Sequence, residues 1–488
     1  MISQSLADRV IGLASSVGVE RFFISPGSRS QALVVAVEKL TQKKFAESYV
    51  GIDERSMSFM ALGNSVASDK PSAMIVTSGT AVANLHPAML EAHHAGIPLI
   101  AITADRPKRL RGKGSNQTTL QPGVFGELID HVDIESEQDL TLAEEKLVTA
   151  LNSSQPIQIN VCFDEPLSGD SEVTGFVEKI ERERASKTAT EIDCSVRGVV
   201  IAGAGGVGAR EFAESANWPL LAEPSSGGRA GDHAILDYES LLKTALAEQI
   251  EAVVVFGKPT LTRVVNQLIS SQEQITVVSS DYGPFDIADN AVLADSLKAI
   301  RPNSGWLEKW QSEVQDYEFG REQLIQKIWN ATNDSDSIYL GASKMIRVAN
   351  SVAPAKEVSV YSNRGLAGID GSNSTAIGIS LNTAGITRAI VGDLTAIHDV
   401  GGLNLSSIPR PNVQLWVVND SGGKIFEQLE IKQMIDDDIY TKYFQTPQQF
   451  DLGLIAKAFG WDYQLVQNSE QLEKAIDIRG PVIFELKL

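Results

Sequence analysis

The 488-residue chain, with 43% hydrophobic and 21% charged residues, has the composition of an ordinary globular protein and is too long for one hydrophobic core, so about three domains are expected. Its formal net charge of −20 disfavours nucleic acid as a partner, because a phosphate backbone selects basic surfaces. No run of about 18 apolar residues occurs, so no membrane span is expected. The two cysteines lack CxxC spacing and indicate neither a zinc site nor a disulfide framework. A cytoplasmic location is therefore expected.

Strand-like segments alternate with segments of helical period, a pattern typical of parallel α/β architecture. The first series of predicted strands comprises residues 21–25, 49–52, 73–77, 99–103 and 157–162. After a charge-rich connector at 178–191, a second series starts with GVVIAGAG at residue 198 and continues at 219–222, 252–256 and 275–279. A third series comprises EVSVYS, RAIVGD, QLWVVND and PVIFELKL, and begins at residue 357. The prediction is an α/β fold with three successive parallel-sheet domains, at residues 1–177, 192–305 and 330–488.

In the first series, Asp53 and Glu54 lie where a predicted strand gives way to a helix. Asp53 suits the N-cap position, and Glu54 in the first turn would interact favourably with the helix dipole. Alternatively, Glu54 could hydrogen-bond a cofactor ring nitrogen in an apolar pocket, where desolvation would raise its pKa and make it a proton relay. The local sequence leaves both interpretations open.

Arginines and small polar residues recur in the loops of this acidic chain. They include Ser28, Arg29, Arg106, Asn116, Gln117, Ser343, Arg347 and Arg364. Arginine forks bind carboxylates bidentately, which would suit substrates with several carboxylates. Ser343 and Arg347 are four residues apart, so on a helix they would share a face. Taken singly, each of these residues equally suits a surface ion pair or a turn.

The second series contains a glycine-rich turn, Gly203 to Gly208, that follows a strand and precedes a helix. Its GxGxxG pattern is that of dinucleotide-binding domains, and Glu223 at the end of the next strand could bind a ribose. An NAD- or flavin-dependent oxidoreductase is therefore one alternative. Close packing of a helix on a strand can require the same glycines without any ligand. This structural interpretation is favoured, because an enzyme built on the glycine-rich turn would leave the acidic and arginine-containing loops of the other domains without a role.

Two aspartates of the third series follow predicted parallel strands, Asp393 after RAIVG and Asp420 after QLWVVN. Ligands of open α/β sheets bind at the carboxyl ends of the strands. Carboxylates, a backbone carbonyl and phosphate oxygens suit Mg²⁺, and nearby glycines let the backbone approach a diphosphate. An aspartate at a strand end is also common without any metal.

Long segments of the chain resemble the 2-succinyl-5-enolpyruvyl-6-hydroxy-3-cyclohexene-1-carboxylate synthase family of thiamin-diphosphate-dependent enzymes. The segments are FFISPGSRSQAL, GIDERSMSFMALG, TSGTAVANLHPAMLEAHHAGIPLIAITADRP, SNQTT, VYSNRGLAGIDG, VGDLTAIHDVGGL and VVNDSGGKIF. The usual superfamily pattern is GDG with a final NN. Here Leu394 replaces the glycine, as is typical of this family, and Asp420 replaces the asparagine with an equally hard oxygen donor.

The resemblance implies a transferase of menaquinone biosynthesis that decarboxylates 2-oxoglutarate and adds the succinyl-semialdehyde carbanion equivalent to isochorismate in a 1,4-addition. The implied cofactors are thiamin diphosphate and Mg²⁺, with Mn²⁺ as an alternative. Glu54 would contact the pyrimidine N1′, and Asp393, Asp420 and the carbonyl of Gly422 would bind the metal. Further implied cofactor contacts are Thr80, Ile369, Gly392, Leu394, Gly423, Ile425 and Phe426.

For the substrates, the resemblance implies contacts with the loop residues named above and with Arg263, and a catalytic role for Gln117 and Arg364 beside Glu54. The fold implied is the thiamin-diphosphate-binding fold, with a pyrimidine-binding domain, a Rossmann-like middle domain and a diphosphate-binding domain. An obligate homodimer or homotetramer is implied as well, with Glu54 and Asp393 reaching one site from different subunits.

Three rival functions stay open on sequence grounds. The first is another thiamin enzyme, such as an acetohydroxyacid synthase or a simple 2-oxo acid decarboxylase. The second is the oxidoreductase built on the glycine-rich turn. The third is a catalytically silent binding protein of the same fold, which the joint presence of Glu54, Asp393 and Asp420 disfavours.

Overall fold

The computed structural model describes residues 3–173, 189–278, 290–310 and 314–488. Most of the predicted connector at 178–191, the predicted domain end at 177 and the last residue of the predicted strand 275–279 lie outside these ranges. The chain divides into two compact units. Unit one comprises Met1–Arg184, Asp370–Thr383 and Ile397–Pro411, and unit two comprises Ala185–Ile369, Ala384–Ala396 and Asn412–Leu488.

The strands and α-helices are numbered in chain order within the described residues. The strands are β1 (Arg21–Ser25), β2 (Glu47–Val50), β3 (Ser72–Val76), β4 (Leu99–Asp105), β5 (Asp130–Ile134), β6 (Ile157–Cys162), β7 (Ala189–Asp193), β8 (Gly198–Ala202), β9 (Leu220–Ala222), β10 (Ala252–Phe256), β11 (Ile275–Val278), β12 (Val292–Ala294), β13 (Ser296–Ile300), β14 (Ser337–Leu340), β15 (Ser359–Tyr361), β16 (Thr387–Gly392), β17 (Val413–Asn419), β18 (Asp462–Leu465) and β19 (Val482–Lys487). The helices are α1 (Ser3–Ser16), α2 (Gln31–Gln42), α3 (Glu54–Ser68), α4 (Thr80–Ala83), α5 (His86–Ala95), α6 (Leu140–Asn152), α7 (Ala209–Ala216), α8 (Tyr238–Leu241), α9 (Arg263–Ser271), α10 (Arg321–Ala331), α11 (Lys344–Val352), α12 (Ser372–Ser380), α13 (Asp393–His398), α14 (Ile431–Met434), α15 (Asp437–Tyr440), α16 (Leu452–Phe459) and α17 (Ser469–Ala475).

Unit one is built on a parallel sheet of strand order β2-β1-β3-β4-β6-β5. Its inner strands are buried on both faces, as expected when helices cover both sides of a parallel sheet. Phe22, Ile75, Ile102 and Ile159 are fully buried in its core. Because all the strands run the same way, the loops after β1, β3 and β4 emerge at one edge of the sheet.

Helix α3 packs closely against α12 within unit one. A Cβ on Gly63 would collide with the carbonyl of Thr375, and a Cβ on Gly378 would collide with the carbonyl of Met60. Glycine at both positions therefore lets the two helix backbones touch. This contact fixes the position of α3, whose first residue is Glu54.

Unit two contains two larger parallel sheets and a two-stranded one. The strand order is β12-β11-β10-β8-β9 in the first, β15-β14-β16-β17-β19-β18 in the second, and β13-β7 in the small sheet. The cores beside the two larger sheets are separate clusters, one around Trp218 and Val255, the other around Trp329 and Trp416. The predicted α/β class with three successive parallel sheets is confirmed.

The predicted strands at 21–25, 157–162 and 252–256 have the bounds that the structure gives them. The strand predicted at 49–52 is wrong in its bounds, because β2 ends at Val50 and leaves Gly51 and Ile52 in the turn before α3. The domain boundaries at 1–177, 192–305 and 330–488 stay a prediction. Among the described residues, no helix has the length and apolar character needed to cross a membrane.

Candidate active site

Glu54 lies at the first position of α3, and the helix is capped by its neighbour. The Asp53 carboxylate accepts hydrogen bonds from the backbone N–H of Arg55 at 3.0 Å and of Ser56 at 3.2 Å, so its predicted N-cap role is confirmed. The carboxylate of Glu54 is therefore not needed as a cap. It is half-buried and accepts a hydrogen bond from Asn84 Nδ2 at 3.0 Å.

Two arginines, Arg29 after β1 and Arg106 after β4, lie close enough at the carboxyl edge of the unit-one sheet for their charges to interact. Burial and the neighbouring charge of Arg106 lower the pKa of Arg29, while the carboxylates of Glu165 and Asp164 offset part of this effect. Arg29 Nη1 donates to the carbonyl of Phe163 at 3.1 Å. Two guanidinium groups so placed repel each other, and an anion bound between them would remove that repulsion.

The loop containing Gln117 contacts one member of this pair, Arg106. Arg106 Nη1 donates to Ser78 Oγ at 2.9 Å and to the carbonyl of Gln117 at 2.8 Å. The Gln117 side chain in turn donates to the carbonyl of Ser78 at 2.8 Å, and its backbone has a φ of 54°, a conformation that residues other than glycine rarely adopt. Ser28, Asn116 and Thr80, the last of which begins α4, are exposed in the same unit.

In unit two, Asp393 and Asp420 follow the neighbouring parallel strands β16 and β17, whose last paired residues are Gly392 and Val418. Asp393 is 2% exposed and accepts a hydrogen bond from the backbone N–H of Gly422 at 2.8 Å. Burial raises the pKa of Asp393, and the charge of Asp420 raises it further, whereas the hydrogen bonds that the carboxylate accepts lower it. Two carboxylates whose negative charges oppose each other in a buried position fit a dication.

Asp420 forms an ion pair with Arg321, the first residue of α10. Burial and the charge of Arg321 lower the pKa of Lys344. Arg321 and Lys344 therefore both place positive charge near the Asp420 carboxylate. In the described part of the chain, no three His, Cys, Asp or Glu side chains are grouped to hold a metal ion. A dication bound by Asp393 and Asp420 would therefore need further oxygen ligands from the backbone and from a diphosphate.

The loop after Asp420 has a backbone that only glycine tolerates. Gly422 has a φ of 122°, and a Cβ there would collide with the carbonyl of Gln445. The N–H of Gly423 donates to the same carbonyl at 2.6 Å. Phe426 packs edge-on against Phe444, with ring centroids 5.8 Å apart, and Ile425 beside it is half-buried, as is Leu394 after Asp393. These contacts hold the segment that carries three of the predicted cofactor contacts.

A second arginine pair lies in unit two. Arg364 is 4% exposed and donates to Thr260 Oγ1 from Nε at 3.1 Å and from Nη2 at 2.6 Å. Burial and the charge of Arg364 lower the pKa of Arg347, and the carboxylates of Glu239 and Glu223 act against this. Like the pair in unit one, these guanidinium groups favour an anionic ligand.

The helical prediction for Ser343 and Arg347 needs a correction. Ser343 is the N-cap of α11 with a φ of 87°, outside the helix, and its carbonyl accepts a hydrogen bond from Arg347 Nη1 at 2.6 Å. Arg263, the first residue of α9, is exposed and pairs with the exposed Glu430 at 3.5 Å. Ile369 is half-buried at the end of the loop that contains Arg364.

The glycine-rich turn packs against protein backbone. The N–H groups of Gly203 and Ala204 donate to the carbonyls of Phe256 at 2.9 Å and Lys258 at 3.1 Å, and a Cβ on Gly203 would collide with Lys258. Glu223, the candidate ribose ligand, instead accepts hydrogen bonds from backbone N–H groups. These contacts support the structural interpretation of the turn.

Three side chains that support the site were missed by the sequence analysis: Ser78, Asn84 and Thr260. Ser78 stands in a segment that carries the family resemblance, TSGTAVANLHPAML, so it had a signal. Thr260 is a single polar residue in a loop, and only its contact with Arg364 reveals it. Glu223 was considered from the sequence as a ribose ligand, and its contacts with Thr260 and Leu261 appear only in the structure.

Residues 4–128 match the family described as thiamine pyrophosphate enzyme, N-terminal TPP binding domain. Full-length relatives named 2-succinyl-5-enolpyruvyl-6-hydroxy-3-cyclohexene-1-carboxylate synthase include those of Clavibacter michiganensis subsp. michiganensis and Renibacterium salmoninarum. The first is 36% identical over 96% of this chain and 94% of its own length. The second is 37% identical over 99% of this chain and 94% of its own length.

The crystal structure of benzoylformate decarboxylase from Polynucleobacter necessarius has a similar fold, with a TM-score of 0.70 over 100% of this chain and 99% of that chain. Only 13% of the aligned residues are identical, so this likeness concerns the fold alone. Together with the match of residues 4–128, it confirms the predicted thiamin-diphosphate-binding fold.

Proposed function

Because the chain belongs to the 2-succinyl-5-enolpyruvyl-6-hydroxy-3-cyclohexene-1-carboxylate synthase family of thiamin-diphosphate-dependent enzymes, we propose that it decarboxylates 2-oxoglutarate and adds the remaining four-carbon unit to isochorismate. The decarboxylation releases CO₂, and the 1,4-addition of the four-carbon unit gives the compound in the family name. The reaction is a transferase step of menaquinone biosynthesis. The observation that carries the proposal is the presence of two pairs of neighbouring arginines, Arg29 with Arg106 and Arg347 with Arg364. Such pairs suit substrates that bring several carboxylates.

Bound thiamin diphosphate would supply an electron sink for the decarboxylation, and the protein would supply orientation and electrostatics. Glu54 would hold a proton at the pyrimidine N1′, with its carboxylate oriented by Asn84. Asp393, Asp420 and the carbonyl of Gly422 would hold Mg²⁺, or Mn²⁺ in its place, and thereby the diphosphate. The remaining proposed cofactor contacts are Thr80, Ile369, Gly392, Leu394, Gly423, Ile425 and Phe426.

The substrate carboxylates would be bound by the arginine pairs and by the polar residues around them. The proposed substrate contacts are Ser28, Arg29, Arg106, Asn116, Gln117, Arg263, Ser343, Arg347 and Arg364. Gln117 and Arg364 would contact the reacting groups, because each is fixed by hydrogen bonds that orient its side chain. Arg263 has the weakest structural support, since its side chain is exposed and takes part in an exposed ion pair.

Three further proposals concern organisation. The pyrimidine-binding, middle and diphosphate-binding domains would span residues 1–177, 192–305 and 330–488. The active form would be a homodimer or homotetramer in which Glu54 of one subunit and Asp393 of another serve one cofactor molecule. The protein would act in the cytoplasm, where its two buried cysteines would stay reduced.

Release of CO₂ from 2-oxoglutarate and from pyruvate, each with and without isochorismate, tests the proposed function against other thiamin enzymes. We expect release from 2-oxoglutarate that isochorismate accelerates, and little release from pyruvate. Preference for pyruvate would assign the chain to an acetohydroxyacid synthase or a simple decarboxylase instead.

A further inference from the structure

A buried carboxylate next to the unit-two arginine pair has no role in the reaction proposed above. Glu223 follows β9 and is 2% exposed. Its Oε1 accepts hydrogen bonds from the backbone N–H of Thr260 and of Leu261, each at 2.8 Å. Its Oε2 is buried and has no hydrogen-bond partner among the described residues. Burying a carboxylate oxygen in this way is costly, so a residue without a function would be disfavoured here.

The two hydrogen bonds connect Glu223 to Arg364 through one residue. Glu223 holds the backbone of the turn at Thr260, and the hydroxyl of Thr260 accepts both hydrogen bonds described for the Arg364 guanidinium, at 3.1 and 2.6 Å. The direction of the guanidinium fork therefore depends on where this turn lies.

Electrostatics also connect the two residues. Burial raises the pKa of Glu223 to about 7, and the charge of Arg364 is the largest effect that opposes this rise. Glu223 is likewise among the carboxylates that counteract the lowering of the Arg347 pKa. Glu223 thus lies within the electrostatic field of both guanidinium groups, close enough to affect how they bind an anion.

We propose that Glu223 is a positioning residue for Arg364: by fixing the turn at Thr260 and Leu261, it directs the guanidinium towards a carboxylate of the substrate. This inference rests on the proposed function, because it takes Arg364 to be a substrate contact. It differs from a ribose-binding role for Glu223, since both N–H donors to its carboxylate come from the protein itself.

The test compares Glu223→Ala with Glu223→Gln in the full-length protein loaded with thiamin diphosphate and Mg²⁺. The glutamine amide oxygen can still accept both N–H hydrogen bonds, whereas alanine leaves them unsatisfied. Glu223→Ala should raise KM by about 10-fold for isochorismate or for 2-oxoglutarate, with kcat and thiamin diphosphate affinity changed by less than about 2-fold. Glu223→Gln should restore most of the lost affinity.

Two further variants separate positioning from general stability. Thr260→Val removes the hydroxyl that orients Arg364 and should raise the same KM, while Thr260→Ser should not. As a matched control, Glu251→Ala removes another carboxylate of unit two that accepts a backbone N–H, that of Arg197 at 2.8 Å, and its KM values should equal those of the wild type.

The outcomes distinguish the inference from the function beneath it. If the wild-type protein does not convert the two substrates, the proposed function fails and the inference fails with it. If the wild type converts them but Thr260→Val leaves both KM values unchanged, the positioning role alone is overturned. If Glu223→Gln folds but its KM stays as high as that of Glu223→Ala, the positioning role is likewise overturned. If Glu223→Ala does not fold, the glutamine and Thr260 variants still decide the matter.

Discussion

Charged side chains at the candidate site are held in positions that cost electrostatic free energy until a ligand binds. Asp393 is buried beside a second carboxylate, and the pKa of Arg347 is lowered by desolvation and by the charge of a second guanidinium, that of Arg364. Residues of this kind cluster at functional sites, because the charge of a ligand removes a repulsion that the free protein has to tolerate. Structural ion pairs, in contrast, satisfy each other, as Arg388 and Asp336 do.

Glu54→Gln is expected to keep the fold and to lower kcat by about 10²- to 10⁴-fold, the usual contribution of a positioned acid or base. Glutamine can still accept the hydrogen bond from Asn84, and Asp53 still caps the helix, so the midpoint of thermal unfolding should change little. Steady-state kinetics at saturating cofactor measures the effect.

Asp53→Asn is the matched control for this variant, because asparagine caps helices about as well as aspartate. It removes the neighbouring negative charge without touching Glu54, so its kcat should stay within a few-fold of the wild type. Near-normal turnover in Glu54→Gln would remove the proton-relay assignment.

The sequence predicted residues whose role depends on local chemistry. Asp53 is one, because a cap bonds backbone groups two and three residues away. Glu54, Asp393 and Arg364 were predicted through the family resemblance. Thr260 could not be predicted, and Glu223 was considered only as a ribose ligand, since their contacts join residues far apart in the chain, here Glu223 with Thr260 and Thr260 with Arg364.

At the scale of elements, the ends of β16 and β17 bring the two aspartates together because these strands are parallel neighbours in register. Asp393→Asn is expected to weaken Mg²⁺ and thiamin diphosphate binding together, since the metal would hold the diphosphate. Titration calorimetry of each ligand, with the other in excess, measures both affinities.

Asp438→Asn, which alters an exposed carboxylate of α15, serves as the control and should change neither affinity. Unchanged thiamin diphosphate affinity in Asp393→Asn would contradict the metal-binding role of the strand end.

The buried pair of Asp336 and Arg388 joins the start of β14 to β16, with an N–O distance of 2.9 Å. Burial by itself would raise the pKa of Asp336, but the N–H of Ile386, the Arg388 guanidinium and the N–H of Asn333 together hold it below its ordinary value. Since the folded-state pKa is the lower one, the stabilisation is complete above the unfolded pKa of about 4 and is lost as the pH falls through the folded value.

Asp336→Asn should therefore destabilise unit two at pH 7, by about 3 kcal/mol, because it leaves a buried arginine without its carboxylate. The difference from the wild type should shrink in acid, as the wild-type carboxyl becomes protonated. Urea unfolding followed by the fluorescence of the six tryptophans, all of which lie in unit two, measures it. Glu251→Gln, at an exposed ion pair, is the control, with an expected effect below about 1 kcal/mol. A difference that stays constant with pH would contradict the assignment.

Most of the apolar strands were predicted from sequence, whereas several polar or short strands were missed. Strands β5 (DHVDI) and β18 (DYQL) lie at sheet edges, where one side is solvated and polar residues interrupt the apolar pattern. Strand β14 (SIYL) is fully buried but has only four residues, too few for a periodic signal. The strands that carry Asp393 and Asp420 were found because both are long and apolar.

For the whole molecule, the order of three parallel sheets followed from the sequence, but the compact units did not. Unit one includes α12, which stands more than 300 residues after α3 in the chain and packs on it through Gly63 and Gly378. Nothing in the local pattern of either helix indicates that contact. A glycine in a helix is a weak signal until its partner is known, so the association of distant segments needs the structure.

The identity of the product tests the central claim most directly. Protein, thiamin diphosphate, Mg²⁺, 2-oxoglutarate and isochorismate are mixed, and the products are identified by mass spectrometry. We expect 2-succinyl-5-enolpyruvyl-6-hydroxy-3-cyclohexene-1-carboxylate and CO₂ in equal amounts, and none of the former when either substrate is left out. Unchanged isochorismate, together with free succinyl semialdehyde or with no decarboxylation at all, would contradict this claim.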